Sequence, residues 1–366
     1  MLASLLKNQN VCILEGNQEI GAKIKVSGGA KCNITNKYVS ASNYLGDVDF
    51  VEPILEQLSS KELLSFCKKN GLDTVFNEKI VKGTYFCHSS KDVLSMFNKL
   101  IHQHKLFTNT KVLDIEKNEN FKIKTNNKTI EAKKVVVASG GISFTTLGAT
   151  PIAFDIAKKF EHKIKTLNPA LVGFTVQKDQ FWFKNLSGIS APVIAYVEGK
   201  EFEGNILFAH KGITGPVILN ASLYWQKGQM SLDFLPNKKF ASFLKSNKKA
   251  SACFPLPKRV MAEFLNSVSL EDKAVSAYSK EELSRLELLK NYSFAPAGNF
   301  GYTKAEVTKG GIDTKDINAY TMESLNCESL YFLGECLDVT GELGGYNFQF
   351  AFASAKVCAN GLNSCV

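Results

Sequence analysis

Arginine is almost missing from this 366-residue chain. Arg259 and Arg285 are the only two, so the formal net charge of +9 is carried almost wholly by lysine. The lysine ammonium is a solvated point charge without the planar fork that grips phosphate at two points. A nucleic-acid-binding face needs positive charge clustered with aromatics, and the run Lys245–Lys249 is too short to supply it. The excess therefore reads as general surface charge, which argues against a nucleic-acid partner. No C-x-x-C pair occurs among Cys12, Cys32, Cys67, Cys87, Cys253, Cys327, Cys336, Cys358 and Cys365, so neither a zinc ribbon nor a redox dithiol is indicated. His102 and His104 would not share a helical face, and no metal site is expected. No apolar run approaches the roughly 20 residues that span a bilayer, so no membrane partner is expected. MLASLL at the start lacks the basic flank and cleavage site of a signal peptide. Scattered cysteines in odd number without such a signal fit a reducing compartment, and the expected location is cytoplasmic.

What is present is an ordinary globular composition, 45% hydrophobic and 22% charged, in a chain long enough for two or three domains. Residues 1–8 read as helix and 11–14 as a short strand ending at Glu15. A glycine-bearing loop is expected over 21–36, and helical spacing runs over 51–70 and 91–106. Residues 111–138 alternate like a small antiparallel set, and Val135–Ala138 is a buried-strand candidate leading into Ser139-Gly140-Gly141. Short β-like runs follow over 166–235, a lysine- and serine-rich helical stretch over 236–291, and extended chain over 292–308. From Gly310 onward the strand-turn-helix pattern of the start returns. The expectation is an α/β protein with one nucleotide-binding domain, 1–164 and 309–366, split by an insert. The insert is expected to be a β-barrel, 165–235 and 292–308, carrying a small helical subdomain, 236–291.

The chemistry-bearing stretch is Tyr331–Ser354, YFLGECLDVTGELGGYNFQFAFAS. A strand stops at Gly334-Glu335, and Gly344-Gly345 then opens a helix at Tyr346-Asn347. Glycines let backbone approach a ligand, and the free N–H groups of a helix start favour an anion. This pattern, with KVSGGAKCNITN (25–36), VVVASGG (135–141), ILFAHKGITGP (206–216), AEVTKGGI (305–312) and YTMES (320–324), resembles the aminoacetone-oxidase-like, YhiN/BaiN-like FAD-binding oxidoreductases over nearly the whole chain. The resemblance implies a split Rossmann-like, glutathione-reductase-type FAD domain and one tightly bound FAD.

The resemblance also implies residue roles. Glu15 takes the adenosine ribose, and Val112 borders adenine. Lys23, Ser27, Gly28, Gly29, Lys31, Cys32 and Asn33 form a phosphate- and flavin-facing loop; SGG alone reads only as a turn. Lys31 stands where the family commonly has arginine. Ser139, Gly140 and Gly141 pass close to the cofactor. Gly334, Glu335 and Asp338 approach the ribityl chain and pyrophosphate, with Glu335 toward hydroxyls because a carboxylate repels phosphate. Gly344, Gly345, Tyr346 and Asn347 start the helix whose positive end stabilises a reduced flavin. Tyr346 and His210 are the candidate proton donors. One part of the family pattern is missing: the first strand and its G-x-G-x-x-G loop would lie upstream of Met1, and the expectation is that they do. With no second such loop in 151–308, NAD(P)H is expected only as a transient reductant. The substrate reading is a small organic molecule exchanging hydride with flavin N5. The rivals are a tRNA-modifying flavoprotein and a non-catalytic protein with a degraded cofactor site.

Overall fold

The structure is a computed structural model that describes residues 1–7, 9–78 and 81–364. Asn8, at the end of the expected first helix, and Cys365 lie outside the described residues. The chain divides into two units, Met1–Pro169 with Glu306–Val366, and Ala170–Ala305.

The first unit holds two short parallel strand pairs. Cys12–Leu14 pairs with Lys105–Phe107. Val135–Val137 pairs with Leu330–Phe332, Val137 opposite Phe332. Continuous apolar runs suit strands covered on both faces, and Leu330–Phe332 is buried throughout. The covering helix is Tyr346–Ser364, which buries residues around much of its circumference, Gln349, Phe350, Phe352, Ala353 and Val357 among them. A helix buried in this way belongs to the core rather than the surface. The unit also holds two three-stranded antiparallel sheets. One is Val112–Lys117, Phe121–Thr125 and Thr129–Ala132. The other places Thr84–Cys87 between Asn33–Asn36 and Thr74–Asn77.

Three sequence expectations change. The loop expected over 21–36 is a helix over Ala22–Ala30, kinked where Gly28 and Gly29 take φ of 56° and 65°. It starts at Gly21, where a Cβ would strike Leu94 Cδ2 at 2.2 Å. The single helical span 51–70 is two helices, Val48–Glu56 and Ser60–Lys69, separated by a Ser59/Glu62 capping box. That box satisfies the new helix's first N–H groups. The helix expected over 91–106 stops at Leu100. Lys105–Phe107 instead completes the first parallel pair, so tertiary pairing overrides helical spacing there.

The second unit is a seven-stranded antiparallel sheet in the order Tyr292–Phe294, Met230–Asp233, Ser190–Val197, Lys200–Ala209, Gly212–Thr214, Phe174–Val176, Pro296–Asn299. The expected barrel is not closed. The two edge strands are joined through Ala295 alone, so the sheet curls until its edges approach at that corner. No ladder joins those edges among the described residues, and Pro296 has no N–H to donate. Helices Lys258–Ser267 and Lys280–Glu287 share the sheet's core: Met261, Phe264 and Leu286 belong to one cluster with Phe208 and Trp182. Trp182 anchors that cluster, donating from Nε1 to Tyr292 Oη at 2.9 Å.

Candidate cofactor site and family

Because Val135–Val137 and Leu330–Phe332 run parallel and in register, the turns that follow them emerge at the same end. That carboxyl end is where open α/β sheets bind ligands. Gly140 has φ 75° and Gly334 φ 68°, conformations that favour glycine. A Cβ on Gly141 would meet Thr308 Oγ1 at 2.5 Å and Glu335 Oε1 at 2.9 Å. The two turns are thus locked together, with the Glu335 carboxylate between them.

Each oxygen of Glu335 has a partner. Oε1 accepts from the Thr308 backbone N–H at 3.0 Å. Oε2 accepts from Lys23 Nζ at 2.5 Å. Thr308 Oγ1 in turn accepts from the N–H groups of Ile142 at 2.9 Å and Ser143 at 3.0 Å. One threonine therefore fastens Glu335 to the Gly140-Gly141 turn. Beside it, burial raises the Glu306 carboxyl while Lys23 opposes the shift. Burial lowers the Lys309 ammonium, and it raises Asp338 against the pull of Lys165. Thr308 and Glu306 were not assigned roles from sequence. The signal available was the segment AEVTKGGI, whose Gly310-Gly311 pair (φ 84° and 149°) marks a turn just after Thr308.

The second glycine turn sits at the start of the C-terminal helix. Gly344 and Gly345 have φ of 122° and 96°, and a Cβ on Gly345 would meet the Thr35 carbonyl oxygen at 2.6 Å. Asn36, buried, donates from Nδ2 to the carbonyls of Gly344 at 3.1 Å and Lys82 at 2.9 Å. Asn347 exchanges two hydrogen bonds with the Gly341 backbone, at 2.9 and 2.8 Å. Its side chain is committed to holding the turn. Tyr346 is buried beside Tyr44, ring to ring at 6.1 Å, and burial pushes its hydroxyl up to about 12.

The remaining predicted residues are distributed as follows. Gly28 and Gly29 are exposed at the helix kink, with Ser27 Oγ donating to the Ile24 carbonyl at 2.9 Å. A Cβ on Gly28 would meet Asn33 Oδ1 at 2.7 Å. Lys31 directs its ammonium over the Phe86 ring at 5.3 Å. Cys32 is fully buried, and desolvation pushes its thiol up to about 11, leaving a neutral packing group. Glu15 ends its strand and accepts from the Asn17 N–H at 2.9 Å. Val112 is half-buried at the start of its strand, opposite Thr125. Ser139 is exposed and Gly140 half-buried just beyond the Val135–Val137 strand. His210 is exposed at the turn after Lys200–Ala209, in the second unit. No cluster among the described residues has the makings of a metal site, and no helix there is long and apolar enough to cross a membrane.

These residues fit a flavin nucleotide. Glu15 and Glu335 stand at the ends of their strands, each accepting from a backbone N–H. The backbone is stripped of side chains at Gly140-Gly141 and Gly344-Gly345. A 19-residue helix begins at Tyr346, and its first N–H groups have no partner within the helix. The fold and site define a Rossmann-type, flavin-dependent oxidoreductase. The chain belongs to the HI0933-like family, whose Rossmann-domain model matches residues 1–361. A Haemophilus influenzae protein named ribosomal RNA dihydrouridine synthase is 34% identical, covering 96% of this chain and 92% of its own length. One of the same name from Escherichia coli is 32% identical, covering 99% and 95%. A Clostridium scindens protein, 3-dehydro-bile acid delta(4,6)-reductase, is 27% identical over 94% and 90%.

Proposed function

We propose that this protein reduces a uridine of ribosomal RNA to dihydrouridine, with NAD(P)H as electron donor. The reaction adds hydrogen across the C5=C6 bond, which is conjugated to the C4 carbonyl. Hydride arrives at C6 and a proton at C5, balanced by oxidation of NAD(P)H. Bound FAD supplies hydride transfer at its N5. The chain's own residues bind and orient. Glu335, steadied by Thr308 and Lys23, and Glu15 accept hydroxyls of the nucleotide. The start of the Tyr346–Ser364 helix stabilises negative charge. Tyr346 donates the proton at C5; a hydroxyl pushed up to about 12 stays protonated at neutral pH.

The observation that carries the redox reading is the convergence of Lys23, Gly141 and Thr308 on Glu335. The choice of RNA is supported by the names of the two relatives above 30% identity. A second reading, a small conjugated enone, is favoured by the relative named as a bile-acid reductase; there too the reduced bond would be conjugated to a carbonyl. Ribosomal RNA from cells lacking this protein, incubated with yellow holoprotein and NADPH, should gain two hydrogens at one uridine by nucleoside mass spectrometry. No gain, combined with NADPH oxidation driven by a 3-oxo-4-ene steroid, would hand the conclusion to the second reading.

A further inference from the structure

We infer that the sheet Asn33–Asn36, Thr84–Cys87, Thr74–Asn77 and the helix Ser60–Lys69 form the surface on which single-stranded RNA docks next to the flavin turn; this rests on the RNA reading above. Lysines that look scattered in sequence gather here with aromatics. Phe76 and Tyr85 are cross-strand partners, and such partners project to one face. Their rings lie 4.9 Å apart. Phe76 is 41% exposed and Tyr38 45% exposed. Lys37 Nζ stands 5.3 Å from the Tyr38 ring centre and 5.7 Å from that of Phe76. Lys82 Nζ stands 5.5 Å from Tyr38 on the same patch. The sheet and the helix enclose a surface cleft lined by Lys37, Lys61, Lys68, Ser65 and Tyr85, with Asp73 its one carboxylate.

Rings flanked by ammonium groups, beside a lysine-lined cleft, match single-stranded nucleic acid. Bases stack on exposed aromatics and the backbone follows positive charge. A plain solvated lysine surface would not place two exposed rings within reach of the same ammonium. Position adds a second argument. Lys37 donates its N–H to the Gly83 carbonyl at 2.8 Å. Asn36, one residue earlier, bonds to both Lys82 and Gly344. The patch is therefore continuous through Asn36 with the glycine turn that opens the cofactor helix. A strand laid on the rings ends beside that turn.

The test uses FAD-loaded full chain and a fluorescein-labelled 20-nucleotide oligouridylate, with anisotropy followed against KCl. Wild type should bind with a salt slope of about −0.7 per phosphate neutralised. Changing Lys37, Lys61, Lys68 and Lys82 to Gln together should flatten the slope by about 2 to 3 and weaken binding ~30-fold or more at 100 mM salt. Tyr38→Ala and Phe76→Ala should each weaken binding about tenfold with the slope unchanged. Lys280→Gln, in the second unit, should change nothing. Bound FAD and NADPH-driven reduction of menadione should match wild type in every variant, which separates docking from folding. If wild type forms dihydrouridine in ribosomal RNA and these variants bind and modify RNA as well as it does, the surface is misassigned while the RNA reading stands. If wild type neither binds nor modifies RNA, both fall. Binding to phosphatidylglycerol vesicles with none to RNA would likewise overturn the assignment.

Discussion

Thr308 illustrates what a single side chain does in this site. Its hydroxyl accepts from two consecutive backbone N–H groups, and its own N–H feeds Glu335. Thr308→Val keeps the shape and removes the acceptor, leaving buried donors without a partner, a cost of about 1–3 kcal/mol. Urea unfolding should show that loss, and FAD should be released more readily. Gly141→Ala meets a harder limit. Its methyl would lie 2.5 Å from Thr308 Oγ1, and overpacking of this kind costs about 1–3 kcal/mol. FAD content after gel filtration should fall sharply, while a substitution at Gly29, where a Cβ meets nothing within 4 Å, should cost only the strain of its positive φ. For Tyr346→Phe the flavin content should stay at wild-type level. Turnover should fall about 100-fold if the hydroxyl delivers the proton, and stopped-flow oxidation of reduced flavin by substrate is the measurement.

At the scale of elements, the Leu330–Phe332 strand and its neighbours hold the site end in register. His162 packs edge-on against Phe332, ring centres 5.0 Å apart, and shares a hydrogen bond with Ser324 Oγ at 2.8 Å. Its Nδ1 has no partner, and burial lowers its pKa although Asp316 opposes the shift. In the folded state the ring therefore resists the proton that the unfolded chain accepts near pH 6.5. Stability contributed by this neutral ring is present above that pH and is lost as pH falls from about 6.5 toward the lowered folded value. The urea midpoint should drop between pH 7.5 and 5.5, and His162→Gln should reduce the drop. Strand ends at Glu15 and Gly334-Glu335 were legible in sequence because an apolar run stopping at an acid or a Gly-acid pair is a local pattern. The break at Ser59 is also written locally, as Ser-x-x-Glu, although the apolar spacing alone carries the helix across it. Lys105–Phe107 was not legible: it looks like the tail of a helix until Cys12–Leu14 offers it a ladder.

For the molecule as a whole, the two units have separate cores. The second unit's ends are held close together, Phe300 donating its N–H to the Gly173 carbonyl at 2.9 Å. A fragment 170–305 should therefore fold alone, with native circular dichroism and a cooperative melt. The cofactor motifs belong to the other unit, apart from the segment around His210. In calorimetry of the full chain, FAD at 100 times its dissociation constant should stabilise that unit by about 2.7 kcal/mol. The transition of the second unit should stay in place. A single transition shifting as one body would show that the units unfold together.

The linear sequence by itself determined the glycine turns, the acids that end apolar strands, and hence the nucleotide-binding class, because each is a short pattern whose backbone demands are local. Tertiary structure alone decided that Lys23 reaches Glu335 across 312 positions, that Thr308 ties two turns together, and that lysines near 37, 61, 68 and 82 share a surface with Tyr38 and Phe76. Those are contacts between distant segments. Their energies depend on distance and burial, which no spacing along the chain encodes.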